Sequence, residues 1–303
     1  MTRAGLLTTA ACGLQLLLPQ QAPIATFRSG VDAVTVDVSV FQGNRAMHGL
    51  TAADFELTDN GVKQDLTASS LETLPIDLTL IQDVSGSVRN QIEDMRADVR
   101  AVAAMLKRDD RLRLLTFATH VSAPFGFLNG GILPRVELVQ PGGATSFHNS
   151  LISALLTTPP ADRRQLIVAF SDGLDTTSFL DATDVRSAAA RTDAVLHIFL
   201  VRYYTVQHAS HGWLPYNGEP DAEALRATAL DTGGQFYRNP SVASVPKLVG
   251  KVLDEFRTSY VLRYTATGVA PSGWHDVAVR VTRPGTYTVR ARKGYFAGPG
   301  GGK

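Results

Sequence analysis

Between residues 74 and 260 the apolar pattern switches repeatedly between two periods. That alternation constrains the fold more than any other feature of the 303-residue chain. Short apolar runs at 76–81, 112–117, 166–170 and 194–201 read as strands. Between them lie helical stripes. One is Val88, Ile92, Met95, Val99, Val102 and Leu106; another is Val245, Leu248, Val249, Val252, Leu253 and Phe256. Shorter helices are expected at 147–155, 181–190 and 223–230, a last short strand at 235–237, and an edge hairpin over 121–139 with Asn129-Gly130 near its turn. Strands alternating with helices predict an α/β fold, a doubly wound and mostly parallel sheet covered on both faces.

Both flanks of this region, 27–72 and 259–296, read as β. Val34, Val36, Val38 and Val40 alternate with polar residues, the period of a half-buried strand. Asn60-Gly61 lies between the runs 55–59 and 62–66 and predicts a hairpin, because both turn positions need positive φ. That register pairs Phe55 with Leu66 and Leu57 with Gln64. On the other flank Val277, Val279 and Val281 alternate, Arg283-Pro284-Gly285 turns, and Tyr287, Val289 and Ala291 alternate back. Neither flank is long enough for a comfortable core alone. The two are therefore expected to pair into one β-sandwich or barrel, with the α/β domain of residues 74–258 inserted between them. The glycine-rich tail, 297–303, is expected to be flexible.

At the start of the chain Arg3 precedes an apolar run over 4–18, and Pro19, Gln20, Gln21 and Ala22 follow. This reads as a secretory signal peptide over 1–22, so the chain is expected to be exported, whether periplasmic, secreted or at the cell surface. The run is short for a membrane span, and none is expected in the mature chain. The single cysteine, Cys12, excludes a disulfide framework and a cysteine-ligated metal cluster. Thr9-Ala10-Ala11-Cys12 faintly resembles a lipoprotein processing site, but the apolar run continues past it. With a net charge of +1 and no basic block, nothing predicts a nucleic-acid partner.

The chemistry concentrates in three segments expected at one sheet edge. Asp83-Val84-Ser85-Gly86-Ser87 follows the first α/β strand and precedes its helix, the carboxyl edge where doubly wound sheets bind ligands. Gly142-Gly143-Ala144-Thr145 opens a helix, and Ser171-Asp172-Gly173 follows the strand 166–170. Asp83, Ser85, Ser87, Thr145 and Asp172 together offer two carboxylates and three hydroxyls. That oxygen set suits a hard cation, Mg2+ with Mn2+ or Ca2+ as alternatives, and not zinc. Taken alone, Asp-x-Ser-x-Ser has a plainer reading in which Ser87 only caps a helix.

These residues resemble the metal-ion-dependent adhesion site of von Willebrand factor type A domains. The resemblance covers roughly residues 75–258 and places that family's metal-binding threonine on Thr145 and its third-loop aspartate on Asp172. It implies a metal that keeps one coordination position for an acidic residue of a protein partner. A closer resemblance, to bacterial exported proteins with such a domain, rests on residues 49–61, 259–264 and 292–296. One local departure is Phe147-His148-Asn149, where those relatives often carry tyrosine followed by aspartate.

Beyond the strand 194–201 runs an unusually long connection, 202–220, with Tyr203, Tyr204, His208, His211, Trp213 and Tyr216. Rooted at the same edge, it is a candidate recognition loop. His208 and His211 have metal-like spacing without a helical signal to support it. Thr119, His120 and Ser122 are placed to tune the site. The expected function is binding or adhesion to a protein presenting Asp or Glu, not catalysis. One alternative is a structural component of an envelope or secreted assembly with a stabilising metal. The other, a metal-dependent phosphoester hydrolase, is disfavoured because residue 85 is serine where an acid would be expected to protonate the leaving group. Ser85 as a hydrolase nucleophile also fails, since residue 83 is not the glycine of Gly-x-Ser-x-Gly and no triad is visible.

Overall fold

The computed structural model describes residues 33–71, 74–137, 139–158, 160, 162–173, 175–201, 219–238 and 244–298. The first five strands are β1 (Ala33–Gln42), β2 (Arg45–Ala46), β3 (Phe55–Asp59), β4 (Val62–Lys63) and β5 (Leu66–Leu71). The α/β region follows with β6 (Ile76–Asp83), α1 (Ile92–Ala104), β7 (Arg111–Phe117), β8 (Val121–Asn129), α2 (Phe147–Leu155) and β9 (Arg164–Ser171). It continues through α3 (Ala182–Ala189), β10 (Val195–Leu200), α4 (Glu219–Asp231), β11 (Phe236–Arg238) and α5 (Val245–Arg257). The chain then returns to β12 (Tyr260–Thr265), β13 (Gly273–Val281), β14 (Thr288–Ala291) and β15 (Gly294–Ala297).

The α/β sheet runs in the order β11-β10-β9-β6-β7-β8. Its neighbours are parallel except β8, which lies antiparallel on β7. Every residue of β6 is buried, as a central parallel strand requires. From β6 the chain builds outward to β7 and β8, then returns to β9 on the other side of β6. The order therefore reverses between β6 and β9, and such a reversal opens a crevice beyond the carboxyl ends of those two strands. Val99 and Val102 of α1 and Leu248, Val252 and Phe256 of α5 pack with Leu78, Leu80, Leu114 and Val168. Leu151 of α2, Val185 of α3 and Leu225 of α4 pack with Ile81, Leu115, Ile167 and Leu196. The alternation that marked the sequence is thus a sheet covered on both faces.

The expected edge hairpin is placed differently. Its turn lies at residues 118–120, with Phe117 opposite Val121, so β8 folds back on β7 rather than pairing with a later strand. Asn129-Gly130 ends β8 instead of turning a hairpin. Gly130 is needed for close approach: a Cβ there would stand 1.9 Å from the Lys107 carbonyl oxygen. Its N–H donates to the Asp110 carbonyl at 2.8 Å.

Strands from both flanks pair with one another. Val38 of β1 lies opposite Tyr260 of β12, and Leu57 of β3 opposite Val279 of β13. One sheet runs β14-β1-β12-β5 with β2 on β1, the other β15-β13-β3-β4. They share a core of Val36, Val38, Val40, Leu57, Tyr260, Leu262, Tyr264 and Val277, which makes a β-sandwich. The Asn60-Gly61 turn forms as expected, with φ of 47° and 79° and with Asp59 opposite Val62. The Leu57–Gln64 contact is kept, Gln64 N–H donating to the Leu57 carbonyl at 3.0 Å. Phe55 and Leu66 do not pair, because the chain changes sheets at Gln64. The buried Gln64 amide donates to the Thr267 carbonyl at 3.0 Å and accepts from Thr267 N–H at 2.9 Å. Leu66 then joins the opposite sheet beside Tyr264.

Arginines tie the sandwich to the α/β sheet. Arg164, at the start of β9, donates to the Phe256 carbonyl at 2.9 Å and pairs with Asp37 of β1. Arg290 pairs with Glu255 of α5 at 2.9 Å, and Arg292 donates to the Thr192 carbonyl at 2.7 Å. Among the described residues no helix is long and apolar enough to cross a membrane.

Candidate metal centre

Asp83 is the last residue of β6, and the turn after it is set by its own side chain. Its Oδ1 accepts from Ser85 N–H at 2.8 Å, which closes the loop before a short 3-10 helix, Gly86–Gln91. The loop is fastened on both sides. Val84 N–H donates to the Phe117 carbonyl at 2.9 Å, and Gly86 N–H to the Gly143 carbonyl at 3.1 Å. Gly143 has φ of 89°, and a Cβ there would stand 2.4 Å from Thr119 Oγ1. Only glycine fits, since the Thr119 hydroxyl is occupied in accepting from Ala144 N–H at 3.0 Å.

Three of the five side chains expected to act together, those of Ser85, Ser87 and Asp172, form a linked row. Ser85 Oγ lies 3.0 Å from Ser87 Oγ, and Ser87 Oγ donates to Asp172 Oδ2 at 3.2 Å. Asp83, Ser85 and Thr145 are buried, with 2 %, 2 % and 6 % exposure, whereas Ser87 is exposed. Thr145 is tied by its backbone to the loop that follows Asp172. Its N–H donates to Thr176 Oγ1 at 3.0 Å, and its carbonyl accepts from Thr176 N–H at 2.9 Å and from Thr177 N–H at 3.1 Å.

The fit to a cation shows in one atom. Asp83 Oδ2 is buried and has no hydrogen-bond partner, the kind of orphan a native structure rarely keeps without a reason. Burial, and after it the Asp172 charge, push the Asp83 carboxyl up to about 6 despite its hydrogen bonds from Ser85 and from the Asp172 backbone. Two carboxylates near enough for the charge of one to act on the other, with the Ser85 and Ser87 hydroxyls beside them, are the kind of oxygen donors that could hold a hard divalent ion. The set contains no histidine or cysteine, the ligands zinc favours, and among the described residues no group of three or more His, Cys, Asp or Glu side chains could hold a metal.

Residues that sequence reasoning passed over hold the frame. Asp175 Oδ2 accepts from His148 N–H and from Ser178 Oγ, each at 2.7 Å, and Asp175 Oδ1 accepts from Ser178 N–H at 2.9 Å. Ser178 Oγ accepts from Asn149 N–H at 3.1 Å. The first turn of α2 is therefore capped by another loop, while its own N-cap, Ser146, makes no side-chain cap bond. The available signal was the density of Asp, Thr and Ser over residues 175–178, which also describes an ordinary turn. Tyr203, Tyr204, His208, His211, Trp213 and Tyr216 lie outside the described residues, as does the segment 1–22.

No family model matches the sequence, and no curated protein matches it. Solved structures match at low similarity. A von Willebrand factor type A protein from Catenulispora acidiphila is 12 % identical with a TM-score of 0.46, over 85 % of this chain and 74 % of that one. The conserved hypothetical protein BatB from Bacteroides thetaiotaomicron is 12 % identical with a TM-score of 0.41, over 60 % of this chain and 98 % of its own. Manganese-loaded TRAP protein from Plasmodium vivax is 15 % identical with a TM-score of 0.40, over 76 % of this chain and 98 % of its own. Likeness at this level carries nothing about function. By its own strand order and by the residues gathered at its carboxyl edge, the α/β region has the doubly wound fold that the resemblance to von Willebrand factor type A domains implies.

Proposed function

We propose that this chain is a divalent-metal-dependent protein-binding module. Asp83, Ser85, Ser87, Thr145 and Asp172 would hold Mg2+, with Mn2+ or Ca2+ as alternatives, and the partner would present an Asp or Glu. The carrying observation is the buried, unpartnered Asp83 Oδ2, facing the charge of Asp172. When bound, the cation supplies a Lewis-acidic position that a partner carboxylate can fill. The protein orients the donors in advance: Ser85 N–H fixes one Asp83 oxygen, and Ser87 holds Asp172. Residue 85 is serine where a phosphoester hydrolase would be expected to carry the acid that protonates the leaving group, which favours binding over turnover. The signal-like start supports a reading in which this binding happens outside the cytoplasm.

The test is capture of protein partners from envelope and secreted fractions in Mg2+ and then in EDTA, with Asp83→Ala and Asp172→Ala beside the wild type. Capture that is lost with chelator and with either variant supports the reading. Capture that ignores both would overturn it. Partner assembly that survives loss of Asp172 would favour a structural role in an envelope or secreted assembly.

A further inference from the structure

Two side chains at the same edge have no role in the cluster. Phe179 is 97 % exposed, and Leu180 beside it 39 %. An aromatic ring in water is unremarkable on a loose loop, but this loop is pinned. Four bonds to the Asp175 carboxylate and the paired contacts of Thr176 with Thr145 hold residues 175–178. Leu180 N–H also reaches Asn149 Oδ1 at 3.4 Å. Phe179 lies three residues past Thr176, so its Cα is within about 11 Å of that of Thr176. The ring thus stands on a backbone arm fastened to Thr145 through Thr176, so little backbone entropy remains to be lost when it is covered.

The second side chain is Arg89, in the short 3-10 helix Gly86–Gln91 that also contains Ser87. It is exposed and has no carboxylate partner among the described residues. Its guanidinium passes over the turn that abuts Gly86, with one terminal nitrogen 3.8 Å from where a Cβ on Gly142 would stand. Arg89 leads into α1, which packs on one face of the sheet, and Phe179 leads into α3, which packs on the other. The Asp83–Ser87 turn lies between the two faces.

Resting on the binding reading above, we propose that Arg89, the metal cluster and Phe179 form one composite docking surface. Its occupant is an acidic protein segment: a carboxylate meets the cluster, further negative charge meets Arg89, and an apolar recess or side chain covers Phe179. Arg89, exposed and without a carboxylate partner among the described residues, favours an acidic occupant by charge, and a bound divalent ion would offset the two carboxylates of the cluster and offer a carboxylate its open position. The exposed ring supplies the aromatic anchor on which binding energy concentrates.

Panning a displayed random-peptide library on the full chain in Mn2+ tests this, with affinities of a selected synthetic peptide measured for the wild type, Phe179→Ala, Arg89→Gln and Asp83→Ala. Mn2+ affinity is followed separately by electron paramagnetic resonance. The enriched peptides should carry Asp or Glu with an aliphatic or aromatic residue a few positions away, and should dissociate in EDTA. Phe179→Ala should weaken the peptide at least about tenfold and Arg89→Gln several-fold, more at low salt, with Mn2+ affinity unchanged in both. Acidic peptides indifferent to Phe179→Ala would overturn the composite surface and leave the binding reading standing. An absence of any EDTA-sensitive peptide would overturn both. Self-association of the chain in sedimentation, abolished by Phe179→Ala, would assign the ring to a second copy and overturn the acidic occupant.

Discussion

Asp83 divides its two carboxylate oxygens between different tasks. Oδ1 shapes the turn by accepting from Ser85 N–H, and Oδ2 is buried without a partner. Burial raises the carboxyl to about 6 from an ordinary 3.8, so the metal-free fold favours the protonated form. The sign follows by linkage. A carboxyl raised on folding contributes its stability fully below about 3.8 and loses it as the pH rises through about 6. In metal-free protein the melting temperature of Asp83→Asn should therefore exceed that of the wild type by a margin that widens from pH 5 to pH 8. Saturating Mg2+ should reverse the order, since the ion stabilises only the chain that holds it. A margin equal at both pH values would contradict this account of the residue.

Among the elements, the loop after β9 does more than connect. Asp175 and Ser178 cap α2 from outside, and the same loop clasps Thr145, so the helix, the threonine and the Asp172 turn are built as one unit. Asp175→Ala should cost about 1–2 kcal/mol of stability in chemical denaturation, as for a lost helix cap. It should also weaken Mn2+ binding several-fold, although Asp175 is not among the proposed ligands. Mn2+ affinity unchanged in a destabilised Asp175→Ala would show that Thr145 and Asp172 are positioned independently. Cooperation of this kind explains what the sequence could and could not reveal. The period of Val99 and Val102, the apolar 166–170 run and the Asn60-Gly61 turn are local signals, and each became the expected element. The change of sheet at Gln64 and the cap from Asp175 depend on partners about 200 and 27 residues away, on Thr267 and His148, so no local pattern could announce them. Gly130 was legible as a special position, but what demands glycine there is the distant Lys107 carbonyl rather than a hairpin.

Across the whole molecule, chemistry and scaffold occupy opposite ends of the α/β sheet. The sandwich meets the amino ends of the strands, where Arg164 at the start of β9 binds Asp37 and Ser259. Asp83 and Ser171 end their strands at the other edge, and an eight-residue strand such as β6 spans about 26 Å. Among the described residues the flanking strands of 33–71 and 260–297 build the sandwich, and the cluster lies at the opposite edge of the α/β sheet. The central claim is that this edge holds one hard divalent ion through Asp83 and Asp172. Its most direct test is a titration of the full chain with Mn2+, read by electron paramagnetic resonance, with Mg2+ as competitor and Asp83→Ala and Asp172→Ala as controls. The account predicts one site per chain, displaced by Mg2+ and lost in both variants; no binding by the wild type, or binding untouched by either substitution, would contradict it.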